Sequence, residues 1–404
     1  MLSDALKICL GAIEASLPGQ SIRNSLSKLN IEGDVYLVAV GKAAFAMAEA
    51  ACELLPIKRG IVLSKYGHIK GSLKNIDTYE AGHPITDENG IHATQEIIKM
   101  CSGLKADDNV LFLLSGGASA LFEEPLIPLN ELQDLNEQML RKGLDINEIN
   151  TIRKRFSRVK GGRFHQLCQP ARVYSLILSD VLGDRLDSIG SGPTVQDHSS
   201  REEALAIIDK YDLLLSEEAR YIIEKSENIT VDEKDVYIIG SVKLLAKRAM
   251  DIAESLGYET VLISDHIAME AREAGDLLFE EIEKHRGQGK LALTMTGETV
   301  VHVTGNGLGG RNQELVLSQV AHLKDMDDVL ILSLGSDGTD GPTDAAGAYA
   351  DGHTHERFME QGIDYRKMLE ENDSYHAFEK IDALIRTGPT GTNVNDITIA
   401  LIGG

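Results

Sequence analysis

With 404 residues the chain is long enough for two domains, and 43% hydrophobic and 25% charged residues describe an ordinary globular protein. A net charge of −23 argues against nucleic acid as a partner, because phosphate binding needs concentrated basic surface. No apolar stretch reaches the ~20 residues of a membrane-spanning helix. The N-terminus, Met1-Leu2-Ser3-Asp4-Ala5-Leu6-Lys7, lacks the basic n-region and cleavage site of a signal peptide, so a cytoplasmic protein is expected.

In chain order, strand-like and helix-like segments alternate, which predicts an α/β protein with mainly parallel sheets. Leu2–Ser16 is helical in period. Val35–Val40 reads as a strand feeding an alanine-rich helix, Ala43–Leu55, and Gly60–Ser64 as the next strand. Helix Glu88–Met100 leads to strand Val110–Leu114, helices Leu129–Arg141 and Ile146–Arg155, and strand Val173–Leu178. A helical pair, Glu202–Tyr211 and Ser216–Lys225, precedes a polar stretch, Ile229–Asp235, which is the expected boundary between domains 1–230 and 235–404. The second block repeats the alternation: strand Val236–Ile239, helix Val242–Leu256, strand Thr260–Ser264, helix Glu270–His285. Strands Leu291–Thr296 and Thr299–Val303 follow, then helix Arg311–Ala321, strand Val329–Leu334, short helices, and a last strand, Ile397–Ile402. Cys9, Cys52, Cys101 and Cys168 form no C-x-x-C pair and are expected as buried thiols.

The chemistry lies in the loops. Gly41-Lys42 places a cation at a helix start, where free N–H groups already favour anions. It is not a Walker A motif. Ser115-Gly116-Gly117 joins strand to helix as an anion cradle, and the absence of G-x-S-x-G argues against a serine nucleophile. Asp180, Asp184 and Asp187 sit on one glycine-punctuated loop and suit metal binding or base catalysis. Gly305, Gly307 and Gly310 spell a literal G-x-G-x-x-G. The ribose-binding acid expected ~20 residues further on would fall near Asp325–Asp328, a poor fit to a dinucleotide site. Arg311 suits a phosphoryl or carboxylate group better. Gly335–Gly347 carries Asp337, Asp340 and Asp344, and Asp337 is the candidate beside a metal or nucleotide. Whether Asp340 and Asp344 do more than shape that loop is left open by the sequence. Asn393 lies in a last small-residue loop, and His68 and His83 in early ones.

This inventory of one lysine, one arginine, carboxylates, hydroxyls and glycine-rich backbone fits phosphoryl transfer. The motifs V-G-K-A-A, A-G-H-P, L-S-G-G-A-S-A-L, S-D-V-x-G-D-x-x-x-x-I-G-S-G-P-T, G-G-R-N-Q-E, G-S-D-G-T-D-G-P-T-D-A-A-G and G-T-N-V-N-D together resemble the glycerate 2-kinase family, over essentially the whole chain. The resemblance implies ATP-dependent phosphorylation of D-glycerate to 2-phosphoglycerate, with Mg²⁺ or another divalent cation. It also implies an N-terminal Rossmann-like three-layer domain with a mainly parallel sheet, a C-terminal α/β domain, and an active site in the cleft between them.

On this chain the resemblance puts Lys42 and Arg311 on the anionic groups and Asp184 beside the glycerate 2-hydroxyl, with Asp180 or Asp187 as weaker candidates for that base. Ser115, Gly116, Gly117, Asp180, Asp337 and Asn393 are binding residues, and Asp337 and Asp187 the candidate metal ligands. Lys42→Ala and Arg311→Ala are expected to abolish most turnover without unfolding the protein. Partners are the two small substrates, with a homodimer allowed. The competing reading is a hydroxypyruvate reductase using a nicotinamide cofactor at Gly305–Gly310.

Overall fold

The computed structural model describes residues 1–179 and 185–403. The chain forms two compact units, Pro18–Ile239 and Met1–Leu17 with Gly240–Gly404. The first unit is built on strands β1 (Asp34–Val40), β2 (Ile57–Lys65), β3 (Ile76–Ala81), β4 (Asp108–Leu114), β5 (Arg172–Leu178) and β6 (Val236–Gly240), in the order β3-β2-β1-β4-β5-β6. Strands β1 to β5 are all parallel, so their C-terminal ends share one edge. From β1 the chain moves outward to β2 and β3, then returns to place β4 on the other side. The β1–β4 crevice is therefore the point at which the strand order reverses, where open α/β sheets bind ligands.

Strand alternation makes this a three-layer unit. Leu37 and Ala39 of β1, with Leu111 and Leu113 of β4, pack on helix Ala44–Leu54. Val38, Val40, Phe112 and Leu114 face the opposite way, onto helix Glu88–Cys101. The period of two in the strands directs successive apolar side chains to opposite faces.

The second unit contains β7 (Glu259–Ile267), β8 (Leu291–Gly297), β9 (Val329–Gly335), β10 (Gly347–Asp351), β11 (Leu384–Ile385) and β12 (Asp396–Ile402), ordered β11-β10-β9-β12-β8-β7. Only β7–β8 is a parallel pair; β12 lies between β8 and β9, antiparallel to both, and β10 is antiparallel to β9 and β11. Helix Leu2–Ala15 covers one face with Ala5, Ile8, Cys9, Ala12 and Ile13, an i, i+3, i+4, i+7, i+8 stripe, beside helix Val242–Ser255. Helices Ala271–His285 and Arg311–Gln319 cover the other.

The expected α/β class and most elements are present, with several departures. The second sheet is mixed rather than parallel, because the chain doubles back through β10 and inserts β12. Strand Val236–Ile239, expected to open the second domain, instead extends the first sheet beside β5. There the Ser175 N–H donates to the Asp235 carbonyl (2.9 Å), and Arg172 pairs with Asp235. The helix Leu2–Ala15 belongs to the second unit, so the expected boundaries of 1–230 and 235–404 differ from these units at both ends of the first. Thr299–Val303 is not a strand: Val300 makes a single isolated bridge to Glu270, and Val300 and Val303 stay exposed. Cys9, Cys101 and Cys168 are buried as expected, whereas Cys52 is only partly so. Burial pushes the Cys9 and Cys168 thiols up, which keeps them unreactive. Among the described residues no helix is long and apolar enough to cross a membrane.

Candidate active site

In the first unit the loops after β1 and β4 are stitched together. Gly41 adopts φ +120°, and any Cβ there would collide with Ser115. The Lys42 N–H donates to the Gly116 carbonyl (2.9 Å) and the Ala43 N–H to Ser115 Oγ (3.1 Å). The Ser115 hydroxyl donates to the Val40 carbonyl (3.3 Å), and Ser64 Oγ donates to that of Gly41 (2.8 Å). Ser115 is buried and its hydroxyl is consumed by this stitching, so it shapes the cradle rather than lining it. The N–H groups of Gly116 and Gly117 have no acceptor among the described residues. These two donors are the open part of the cradle.

Lys42 is exposed, and its ammonium forms no ion pair with any described residue. Its stem passes beside Gly117: a Cβ there would lie 3.4 Å from Lys42 Cγ and 3.0 Å from the His83 ring. His68 holds the Lys42 carbonyl through Nδ1 at 3.0 Å. Lys42, Gly116, Gly117 and His83 are thus brought together at the β1–β4 crevice, as parallel strand ends require. Asp180 and Asp184 lie outside the described residues. Asp187 is paired with Arg185 (2.9 Å) and with Lys154 (3.5 Å). Burial opposes ionisation of Asp187, but these two cations overcome it and hold the carboxyl below the ordinary range. A carboxylate so engaged is a poor candidate for a metal ligand.

In the second unit the ends of β8 and β9 meet the start of β12, with Asp396 in register with both Gly297 and Gly335. Arg311, the first residue of its helix, grips Asp396 with a fork: Nε to Oδ2 at 2.5 Å and Nη2 to Oδ1 at 2.9 Å. Its Nη1 donates to Glu298 at 3.0 Å. Arg311 is therefore fixed in place by two carboxylates, so the guanidinium expected at an anionic group is already oriented by Asp396 and Glu298. Burial acts to lower the Arg311 pKa, yet Asp396 and then Glu298 hold it above the ordinary value. Burial pushes the Asp396 carboxyl up to about 6 against the pull of Arg311. The two shifts disagree about the pair, one favouring and one opposing its charges. The bidentate geometry decides for an ion pair at neutral pH.

Asp337 and Asp396 flank Gly335, whose added Cβ would lie 3.4 and 3.6 Å from their Oδ1 atoms. Asp337 Oδ1 accepts from the Thr339 N–H (3.0 Å) and hydroxyl (3.1 Å), while Oδ2 has no partner among the described residues. One free carboxylate oxygen suits Mg²⁺, which binds proteins through one or two carboxylates and keeps waters or phosphates as its other ligands. No cluster of three metal-binding side chains occurs among the described residues. Asn393 is exposed and accepts from the Asn395 N–H (3.2 Å), bracing the turn that delivers Asp396. Asp396 and Glu298 were not singled out from the sequence. Asp396 ends the G-T-N-V-N-D motif, whereas Glu298 carried no signal.

The G-x-G-x-x-G segment does not form a pyrophosphate cradle. Its glycines let the backbone touch the protein itself: a Cβ at Gly305, Gly307 or Gly310 would collide with Glu371, Asp373 or Asp340. The Gly305 N–H donates to Asn372 (2.9 Å), Gly307 to the Glu371 carbonyl (2.8 Å) and Leu308 to Asp373 (3.0 Å). At the start of the following helix, the buried Asp340 carboxylate accepts from the N–H groups of Asn312 (3.1 Å) and Gln313 (2.9 Å). The anion that a helix N-terminus attracts is thus already supplied by the chain. Asp344 binds Arg386 and Tyr375. Both aspartates shape the loop, a point the sequence left open.

Two family descriptions match the chain: Domain of unknown function (DUF4147) over residues 4–224 and the MOFRL family over residues 291–396. The D-glycerate 2-kinase of Thermotoga maritima is 46% identical, with 98% of this chain and 97% of that protein covered. The chain belongs to the glycerate 2-kinase family. Among solved members, the crystal structure of glycerate kinase from Thermotoga maritima superposes with a TM-score of 0.93 at 45% identity, over 99% of both chains. A protein of Agrobacterium vitis named as a hydroxypyruvate reductase is 37% identical, covering 92% of this chain and all of that one. The name of one such relative is thus that of a reductase, although the glycine-rich segment in this chain is closed on itself.

Proposed function

We propose that the protein transfers the γ-phosphoryl group of ATP to the 2-hydroxyl of D-glycerate, giving 2-phosphoglycerate and ADP. The observation that carries this reading is the contrast between two glycine-rich segments. Gly116 and Gly117 keep their N–H groups unbonded beside the unpaired Lys42 ammonium, whereas those of Gly305 and Gly307 are spent within the protein. A site with spare donors and a cation receives phosphate; a segment with none receives no dinucleotide.

Lys42, Gly116 and Gly117 stabilise charge on the phosphates and on the moving phosphoryl group. Arg311 contributes its positive charge from a guanidinium fixed by Asp396 and Glu298. Asp184 orients the glycerate hydroxyl and takes its proton late, in keeping with a loose transition state. Mg²⁺, when bound, neutralises phosphate charge, and Asp337 is the residue that would hold it. The enzyme acts in the cytoplasm on these two small substrates.

A two-arm assay tests the reading. With glycerate, ATP and Mg²⁺, ADP should form in step with phosphoglycerate. With hydroxypyruvate and NADH or NADPH, absorbance of the reduced nicotinamide should hold steady. Consumption in the second arm alone would replace the kinase with the reductase.

A further inference from the structure

Beside the β1–β4 crevice the first unit contains a cavity of about 870 Å³. Gly116, Gly117 and His83 form part of its wall, so the unbonded N–H groups belong to this space. Glycerate, a three-carbon acid, would leave most of it empty; cavities of ~300–1,000 Å³ are those that enclose ligands of nucleotide size. The wall also carries three large apolar side chains left unusually exposed, Ile85 at 65%, Leu140 at 66% and Ile146 at 56%. An apolar surface of this kind on a cavity suits a flat heteroaromatic base. Arg153 lines the same space; its Nε donates to Asn136 (2.7 Å), and its two terminal amino groups have no acceptor among the described residues. Burial lowers the Arg153 pKa, and the nearby Glu123 carboxylate opposes that shift.

We infer that this cavity is the nucleotide subsite. The phosphates of ATP lie at the Gly116–Gly117 end, next to Lys42, and the base lies against Ile85, Leu140 and Ile146. Arg153 donates to acceptor atoms of the nucleoside. The inference rests on the kinase reading and adds to it the place and the contacts of the nucleoside. It also predicts tolerance among nucleoside triphosphates, since apolar packing recognises a ring more than its substituents.

The test uses the full-length protein and titrates ATP calorimetrically into wild type and into the double variant Ile85→Ser/Leu140→Ser, whose exposed positions leave the fold unaffected. The variant should bind ATP about tenfold more weakly and show a matching rise in the ATP KM. Its glycerate KM and melting temperature should not move. Arg153→Gln should weaken ATP binding in the same selective way. Unchanged ATP affinity in both variants, or a rise confined to the glycerate KM, overturns the assignment while wild-type turnover leaves the kinase reading standing. Binding of NADH in the cavity in preference to ATP would overturn both, as would a wild type that neither binds nor consumes ATP.

Discussion

Lys42 and Arg311 are both cations expected at the anionic substrates, but their surroundings set different costs for losing them. Lys42 is exposed and unpaired, so Lys42→Ala removes charge from the transition state alone. It should lower kcat by ~10²–10³-fold with an unchanged melting temperature. Arg311→Ala leaves Asp396 buried beside Asp340 without its counter-charge. A similar loss of activity should therefore come with a stability loss of about 2–3 kcal/mol, reduced from the fully buried case because a third of the Arg311 side chain is exposed. Thermal melts of the two variants side by side check this, and equal melting temperatures would contradict it. Lys42→Ala is thus predicted to spare the fold and Arg311→Ala to weaken it.

Asp396 gives these residues a pH signature. Its folded pKa of about 6 lies above the unfolded value near 3.8. The proton is therefore bound more tightly in the folded state. The stability this contributes is fully present below pH ~3.8 and is lost as pH rises through about 6. Relative to Asp396→Asn, wild type should gain roughly 3 kcal/mol as pH falls across that window, read from denaturant titrations at several pH values. Over the same interval Arg311 loses its charged partner, so an activity limb near pH 6 in wild type should be absent from Asp396→Asn.

At the scale of elements, helix Arg311–Gln319 shows how an internal carboxylate fixes a functional residue. Asp340 satisfies two backbone N–H groups and the side-chain amides of Asn312 (3.1 Å) and Gln313 (3.0 Å). Asp340→Ala would orphan all four, and should cost about 3 kcal/mol or more. Gly310→Ala should cost about 1–3 kcal/mol, because its Cβ would overlap Asp340. Urea unfolding of both variants reads these losses, and stability within experimental error of wild type would refute the packing argument. The sequence made the helix and its glycine-rich approach visible through period and spacing. It could not reveal that the glycines face the protein, since a pyrophosphate cradle and close backbone packing demand the same absence of Cβ. Nor could it show that Asp340 and Arg311 are already engaged, because their partners lie 28 residues away for Asn312 and 85 for Asp396.

At the scale of the molecule, the first sheet was largely legible: β1, β4 and β5 are mainly apolar runs, β2 carries a shorter one at Gly60–Leu63, and their parallel order puts Lys42 and Gly116 on one edge by necessity. The polar edge strand β3, exposed or partly so over most of its length, gave no such run. In the second unit the apolar runs of β8, β9 and β12 were equally visible, but their directions were not. Period reports burial, whereas antiparallel insertion of β12 depends on a chain reversal after β9 that no local pattern encodes. Whole-chain organisation also escaped local reading because Leu2–Ala15 is an ordinary amphipathic helix, and its stripe does not say which sheet it covers.

The most direct test of the account is the identity of the product formed from D-glycerate, ATP and Mg²⁺, resolved by phosphorus NMR against both phosphoglycerate standards. The account predicts 2-phosphoglycerate in equal amount to ADP. Formation of 3-phosphoglycerate would contradict the assigned acceptor hydroxyl, and absence of any phosphate ester would contradict the kinase itself.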